Sequence, residues 1–97
     1  MQPLSSDMSD PNARPYFLWD ESTTVGAFRA ALAVATDEER DRLIGKLMRE
    51  ARDTDVWRFV RPREVWRRFA TIRPHLGRRR AFWEYLFDAW RRDGFLA

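Results

Sequence analysis

The sequence predicts a compact all-α domain of four to five short helices with an extended N-terminal arm. Apolar residues recur at three- and four-residue steps, which is the spacing of amphipathic helices. Capping residues, prolines and glycines divide the chain into short segments. No stretch has the alternation or the turn signals typical of a strand or hairpin. The 97 residues, 44% of them hydrophobic, are enough for one core but not for two.

The N-terminal region is the part of the chain with the fewest helical signals. Residues 1–14 mix polar residues with prolines, so we expect a flexible N-terminal tail, with 15–97 as the single helical domain. After Pro15 come four large apolar residues, Tyr16, Phe17, Leu18 and Trp19, with neither helical nor alternating spacing. They predict an extended arm. It either folds back over the domain's own core, the commoner arrangement, or docks in part into another protein.

Two helices are predicted in the first half of the chain. The first is capped by Thr23 or Thr24, and its inner face is Val25, Phe28, Leu32 and Ala35. The second begins with a capping box that pairs Thr36 with Glu39, followed by the inner-facing residues Leu43, Ile44, Leu47, Met48 and Ala51. Both faces have the width expected of helices that cover a core.

The second half predicts a short turn, a short helix and a long final helix. Asp53 to Asp55 cap the turn through Val60, and Pro62 opens a helix over 62–70. The inner face of that helix is Val65, Trp66, Phe69 and Ala70. The final helix has one broad stripe, consisting of Phe82, Trp83, Leu86, Phe87 and Trp90, and Gly94 is its expected stop.

Charge is distributed unevenly along the chain. Residues 1–53 carry a net charge of −3, residues 54–97 carry +6, and every basic residue except Lys46 is arginine. A genome rich in G and C also produces an arginine bias without any function. If the arginines do bind, their planar guanidinium groups suit carboxylates or phosphates, so the basic half is expected to meet an acidic partner.

No residue pattern indicates catalysis or a cofactor. His75 is the only histidine, it lies between Pro74 and Leu76, and it is best interpreted as a structural residue. Cysteines are absent, and the four glycines form no phosphate loop. We therefore expect a protein that is not an enzyme and needs no cofactor or metal. The chain shows neither a secretory signal nor an apolar run long enough for a membrane, so a cytoplasmic location is expected.

Arginines interleaved with aromatic residues form the one constellation with functional meaning. The arginines close in sequence around the last turn are Arg67, Arg68, Arg73, Arg78, Arg79 and Arg80. On two packed helices they would make a basic surface able to contact phosphates, which predicts a DNA- or RNA-binding regulator as one alternative. The aromatic residues of the final helix lie at core spacing and are expected inside.

Three stretches together resemble a family: Tyr16-Phe17-Leu18-Trp19-Asp20, then REARDTDVWRFV from Arg49, then HLGRRRAFWEYLFDAW from His75. The chain resembles small bacterial antitoxin-like proteins encoded beside nucleotidyltransferase toxins of the abortive-infection (AbiEii) class. The resemblance runs from about residue 15 to residue 92. It implies a small helical protein that binds and restrains its neighbour.

The resemblance also suggests a mechanism of restraint. A nucleotidyltransferase holds its metal ions with carboxylates and so presents a negative pocket. Arg78, Arg79 and Arg80 are the expected contacts to such a pocket, with Tyr16, Phe17, Leu18 and Trp19 as an apolar anchor. A domain that self-associates through exposed aromatic residues remains a third possibility.

Overall fold

A computed structural model describes residues 2–96 and contains six α-helices. Helix makes up 63% of the residues and strand 4%, which confirms the predicted all-α class. The helices are α1 (Val25–Val34), α2 (Asp37–Glu50), α3 (Asp53–Val56), α4 (Pro62–Arg67), α5 (Phe69–Ile72) and α6 (Arg80–Arg92). Three short 3₁₀ turns, Tyr16–Leu18, Arg73–His75 and Gly77–Arg79, complete the helical part.

Helices α1 and α2 begin where their capping residues predict. The hydroxyl of Thr24 accepts a hydrogen bond from the amide of Ala27 at 3.2 Å, and that of Thr36 accepts one from Glu39 at 3.3 Å. Each bond satisfies one amide that the first helical turn leaves without a partner. The inner face of α2 is almost fully buried and forms the centre of the core.

The helix predicted over 62–70 is instead two short helices that meet at Arg68. The backbone of Arg68 leaves the helical region, with ψ near 9°, so α5 starts with a new orientation. Phe69 and Ile72 then face the core, whereas Ala70, predicted to lie inside, is exposed. This break raises the number of helices from the predicted four to five to six.

Trp83 and Phe87 of α6 are fully buried at the centre of an aromatic cluster. The ring of Trp57 lies edge-on to Trp83, with centroids 5.7 Å apart, and Phe69 lies 5.0 Å from Phe87. Phe82, assigned to the same stripe by sequence, is at its edge and is 40% exposed. The stripe is therefore a core face with one solvent-facing margin.

Residues 2–14 differ from the flexible tail that their composition predicts. Met8 and Ala13 are buried, and Leu4–Ser5 pairs in parallel with Arg14–Pro15 as a minimal two-stranded sheet. The carbonyls of Ala13 and Pro11 accept hydrogen bonds at 2.9 Å from the first amides of α1, those of Val25 and Gly26. The segment thus satisfies helical amides that would otherwise lack partners, which is a physical reason for its place on the fold.

Candidate partner-binding surfaces

The apolar run Tyr16 to Trp19 folds back over the core as a 3₁₀ turn rather than an extended arm. Phe17 and Leu18 are each 1% exposed, so neither is accessible to a partner. The hydroxyl of Tyr16 donates to a carboxylate oxygen of Asp55 at 2.6 Å and accepts from the amide of Arg52. Partial burial and the bond to Asp55 raise the pKa of Tyr16. Of the four predicted anchor residues only Trp19 is open to solvent, at 59%.

The three consecutive arginines before α6 have three different environments. Arg79 donates through Nη1 to the carbonyls of Met48 and Ala51, the latter being the residue that ends α2. Arg80 pairs with Glu84 at 2.9 Å, one turn along α6. Arg78 is exposed and contacts no acid among residues 2–96. Only Arg78 of the predicted triplet is therefore free to contact a partner.

The remaining arginines of the proposed nucleic-acid surface are also mostly engaged within the fold. Arg68 bonds to Asp41 at 2.8 Å and to the carbonyl of Asp37, which ties the end of α4 to the start of α2. Arg73 lies 3.4 Å from Glu84. The structure does not bring these six arginines together as one open basic surface, because only two of the six, Arg67 and Arg78, are exposed without such a contact to residues 2–96.

Sequence reasoning missed two further exposed arginines, Arg61 and Arg63. They flank Pro62 at the start of α4, and across residues 2–96 neither makes an ion pair or a hydrogen bond through its side chain. The acid of that turn, Glu64, is already held by Arg40 from α2, and this bond lowers the pKa of Glu64. Position 63 was open to prediction, because a residue two positions before the inward-facing Val65 lies on the opposite side of the helix. Arg61 is exposed because it precedes the helix with an extended backbone.

An apolar groove lies beside these arginines, between the start of α4 and the end of α6. Its volume is about 590 Å³, and it is lined by Arg61, Pro62, Arg63, Trp90, Phe95 and Leu96. The walls are almost wholly apolar. A volume in this range is typical of sites that bind a small molecule.

The C-terminal wall of the groove is built by the turn that ends α6. Gly94 adopts a positive φ of 84°, as its predicted role of helix stop requires. The amide of Phe95 donates to the carbonyl of Trp90 at 2.9 Å, and that of Gly94 donates to Arg91, which together define a Schellman motif. The chain is thereby reversed, so that Leu96 is buried while Phe95 remains 68% exposed at the groove.

A second, more polar concavity continues from the groove across α4. It has a volume of about 330 Å³ and is lined by Arg63, Trp66, Arg67 and Leu96. Since Arg63 and Leu96 line both, the two concavities are adjacent. Together they place an apolar floor next to a surface with exposed guanidinium groups.

A third cleft, of about 480 Å³, contains both basic and acidic groups. Lys46 bonds to Asp20 and Glu21, each at 2.8 Å, and these bonds lower the pKa of both carboxyls. Arg49 bonds to Glu50 and to the carbonyl of His75. Because its charges are largely satisfied within the fold, this cleft offers less to an external ion than the arginines of α4 do.

Within residues 2–96, no cluster of three or more histidine or acidic side chains is placed to hold a metal ion. No helix of this part of the chain has the length and apolar character needed to cross a bilayer. Comparisons with protein-family models, curated proteins and solved structures find no match to the chain.

Proposed function

We propose that this protein is an antitoxin-like binding protein that restrains a partner enzyme of the nucleotidyltransferase type by direct contact. The proposal combines the resemblance found in the sequence with the surface described above. In this proposal the chain itself performs no chemistry. Its role is to occupy an acidic surface of the partner.

The three stretches that resemble antitoxin-like proteins meet in the fold. Tyr16 from the first bonds to Asp55 from the second. Arg49, at the start of the second, bonds to the carbonyl of His75 at the start of the third. The residues that produce the resemblance are therefore mainly those that hold the domain together, and they support a shared scaffold more directly than a shared contact surface.

The observation on which the proposal chiefly rests is a group of exposed arginines whose side chains form no ion pair and no hydrogen bond within residues 2–96. Four of them, Arg61, Arg63, Arg67 and Arg78, lie in one stretch of chain, so the unpaired positive charge is concentrated there. The other two, Arg42 and Arg52, lie outside this stretch. Such charge accelerates association with an acidic surface and disfavours basic partners.

The expected partner surface follows from that charge. A nucleotidyltransferase positions its metal ions with carboxylates, and a cationic side chain near those carboxylates competes with the metal and the nucleotide. Arg67 and Arg78 are candidates for this contact. Trp19 is a candidate apolar contact at the edge of the interface, since exposed tryptophan is enriched among residues that dominate binding energy.

The nucleic-acid alternative receives less support from the structure. Four of the six arginines that it invokes, Arg68, Arg73, Arg79 and Arg80, are bonded to groups within the fold. Strong phosphate binding usually involves many simultaneous contacts along a nucleic acid. Arg67 and Arg78, the remaining two, can provide few phosphate contacts.

Co-expression with the enzyme encoded by the neighbouring gene tests the proposal. We expect the two chains to purify as a complex and the enzyme's nucleotidyl transfer to be suppressed. Arg67→Glu combined with Arg78→Glu should weaken the complex about tenfold or more, a difference of roughly 1.4 kcal/mol. Arg42→Glu combined with Arg52→Glu is the matched control, because it changes the net charge equally at other exposed positions.

Three results would overturn the proposal. The first is the absence of any complex between the two purified proteins. The second is equal weakening by both double variants, which would indicate a non-specific charge effect. The third is tight binding to DNA or RNA that weakens steeply with salt, because that behaviour is expected of phosphate contacts.

A further inference from the structure

We infer that the groove between α4 and the end of α6 binds a partner segment in which one bulky apolar side chain is flanked by acidic residues. The apolar side chain lies in the groove against its apolar walls, and the carboxylates contact Arg61, Arg63 and Arg67. This inference rests on the proposed function for the kind of partner, and it adds where that partner binds and by what chemistry.

The apolar part of the inference follows from the walls of the groove. Phe95 is 68% exposed although it is anchored by the helix-ending turn, and Trp90 is only partly buried. Covering these rings and Pro62 removes apolar carbon from water, which contributes roughly 25 cal/mol for each Å² covered. Few polar groups on the walls would need to be desolvated in return.

The charged part follows from the arginines at the rim. Arg61 and Arg63 line the groove itself, and Arg63 and Arg67 line the adjoining concavity. Glu64 is the only acid in α4, and it is occupied by Arg40. Exposed guanidinium groups that form no ion pair within the fold can bind carboxylates in a planar, two-bond geometry. A segment with acids beside its apolar residue can therefore cover the apolar walls of the groove and pair with the arginines at its rim at the same time.

The dimensions of the site favour a peptide over a nucleic acid. From Arg61 to Arg67 the chain advances about 9 Å at the helical rise of 1.5 Å per residue. This span provides few phosphate contacts, whereas it matches a short run of acidic residues. The groove is also a concavity that receives a side chain, and it lacks the polar wall groups needed to read the edge of a base.

A second copy of this chain is a less suitable occupant. The exposed Trp19 is followed by Asp20 and Glu21, which superficially matches the inferred segment. Both of these acids are already bonded to Lys46, so their charge is compensated within the fold. Moreover, Trp19 does not line the groove, so two copies would join head to tail through different surface regions, which tends to produce open chains of molecules.

Titration of the full-length protein with synthetic peptides tests the inference. The probe has a central tryptophan flanked on both sides by aspartate and glutamate. Two control peptides replace the tryptophan with alanine or the acids with lysine. Binding is followed by the indole N–H resonance of Trp90 in ¹⁵N-labelled protein, identified among the five tryptophans with a Trp90→Phe variant. We expect the acidic tryptophan peptide alone to shift this resonance at concentrations up to about 1 mM.

Variants of both surfaces make the test specific. Arg61→Glu with Arg63→Glu should reduce affinity about tenfold, and it should retain the fold because acids are favourable in the first turn of a helix. Phe95→Ala should also weaken binding, since it removes an exposed wall without opening the core. Arg42→Glu with Arg52→Glu changes the net charge equally at positions that do not line the groove, and it should bind as the wild type does.

Four outcomes would overturn the inference. The first is no shift of Trp90 with the acidic tryptophan peptide, and the second is an equal shift with the lysine peptide. The third is a stronger shift with a single-stranded oligonucleotide. The fourth is a Trp90 shift that depends on protein concentration without any peptide and that Trp19→Ala abolishes, which would identify a second copy as the occupant.

The inference and the proposed function can fail separately. If the peptide binds but the neighbouring enzyme does not, the proposed function fails and the inference about the groove stands. If the enzyme binds and the groove variants do not weaken it, only the inference fails.

Discussion

Arg78, Arg79 and Arg80 show how neighbouring identical residues acquire different roles. In a 3₁₀ turn successive side chains point about 120° apart, so three consecutive residues cannot share one surface. Arg79 points at the end of α2, and its guanidinium also lies over the ring of Trp83 at 5.4 Å. The run that looked like a single basic feature is one structural residue between two exposed ones.

At the residue scale we predict different effects for substitutions of Arg79 and Arg78. Arg79→Ala removes charge-assisted bonds to the carbonyls of Met48 and Ala51 and should lower the free energy of unfolding by about 1–3 kcal/mol. Arg78→Ala removes no ion pair or side-chain hydrogen bond among residues 2–96 and should change the free energy of unfolding by less than about 0.5 kcal/mol. Urea denaturation of both variants measures the difference. Equal effects would show that Arg79 does not stabilise the end of α2.

Helix α2 and the 3₁₀ turn Arg73–His75 approach each other unusually closely. Gly45 is buried in the middle of α2, and a β-carbon built at that position would lie 2.3 Å from the β-carbon of His75. The close approach requires glycine on α2. His75 in turn packs against α2 at this glycine.

At the element scale we predict that Gly45→Ala destabilises the protein. Within a helix this change normally stabilises by about 1 kcal/mol, because alanine has the higher helix propensity. Here the added carbon collides with His75, so we expect a loss of about 1–3 kcal/mol in the free energy of unfolding. Thermal or urea unfolding measures it.

A double-mutant cycle separates this collision from any other effect. Adding His75→Gly removes the opposing β-carbon, and Gly45→Ala should then become neutral or stabilising. If the alanine destabilises equally in both backgrounds, contact with His75 is not the cause.

The whole molecule folds its basic half onto its acidic half. Residues 1–53 carry −3 and residues 54–97 carry +6. The structure pairs Arg68 with Asp41 and Asp37, and it places Arg79 on the carbonyls at the end of α2. Much of the charge asymmetry is therefore used inside the molecule, and only the remaining exposed arginines are available to a partner.

At the scale of the whole molecule we predict a loss of stability in acid that depends on Glu64. The bond from Arg40 lowers the pKa of Glu64 below its ordinary value of 4.5, so the unfolded chain binds this proton more readily than the folded one. The contribution is present above pH 4.5 and is lost as the pH falls through the lowered pKa. Glu64→Gln should therefore flatten the decline of the unfolding free energy between about pH 5 and pH 3.

Arg40→Met provides an independent check of this prediction. It removes the cause of the lowered pKa without removing the carboxyl, so it should flatten the same decline. Urea denaturation across the pH range measures both variants. A decline as steep as in the wild type for either variant would contradict the role assigned to the Arg40–Glu64 pair.

The sequence by itself determined the helical class, the capping residue Thr36, the buried face of α2 and the stop at Gly94, and it narrowed the cap of α1 to Thr23 or Thr24. These features depend on periodicity and on contacts within a few residues, which are visible in a single chain. Only the tertiary structure decided which arginines are free, that Phe17 and Leu18 are core, and that residues 2–14 complete the first turn of α1. It also brought the start of α4 and the end of α6 together as a groove. These outcomes depend on contacts between residues far apart in the chain, and no local spacing encodes which distant carbonyl or carboxylate a side chain will meet.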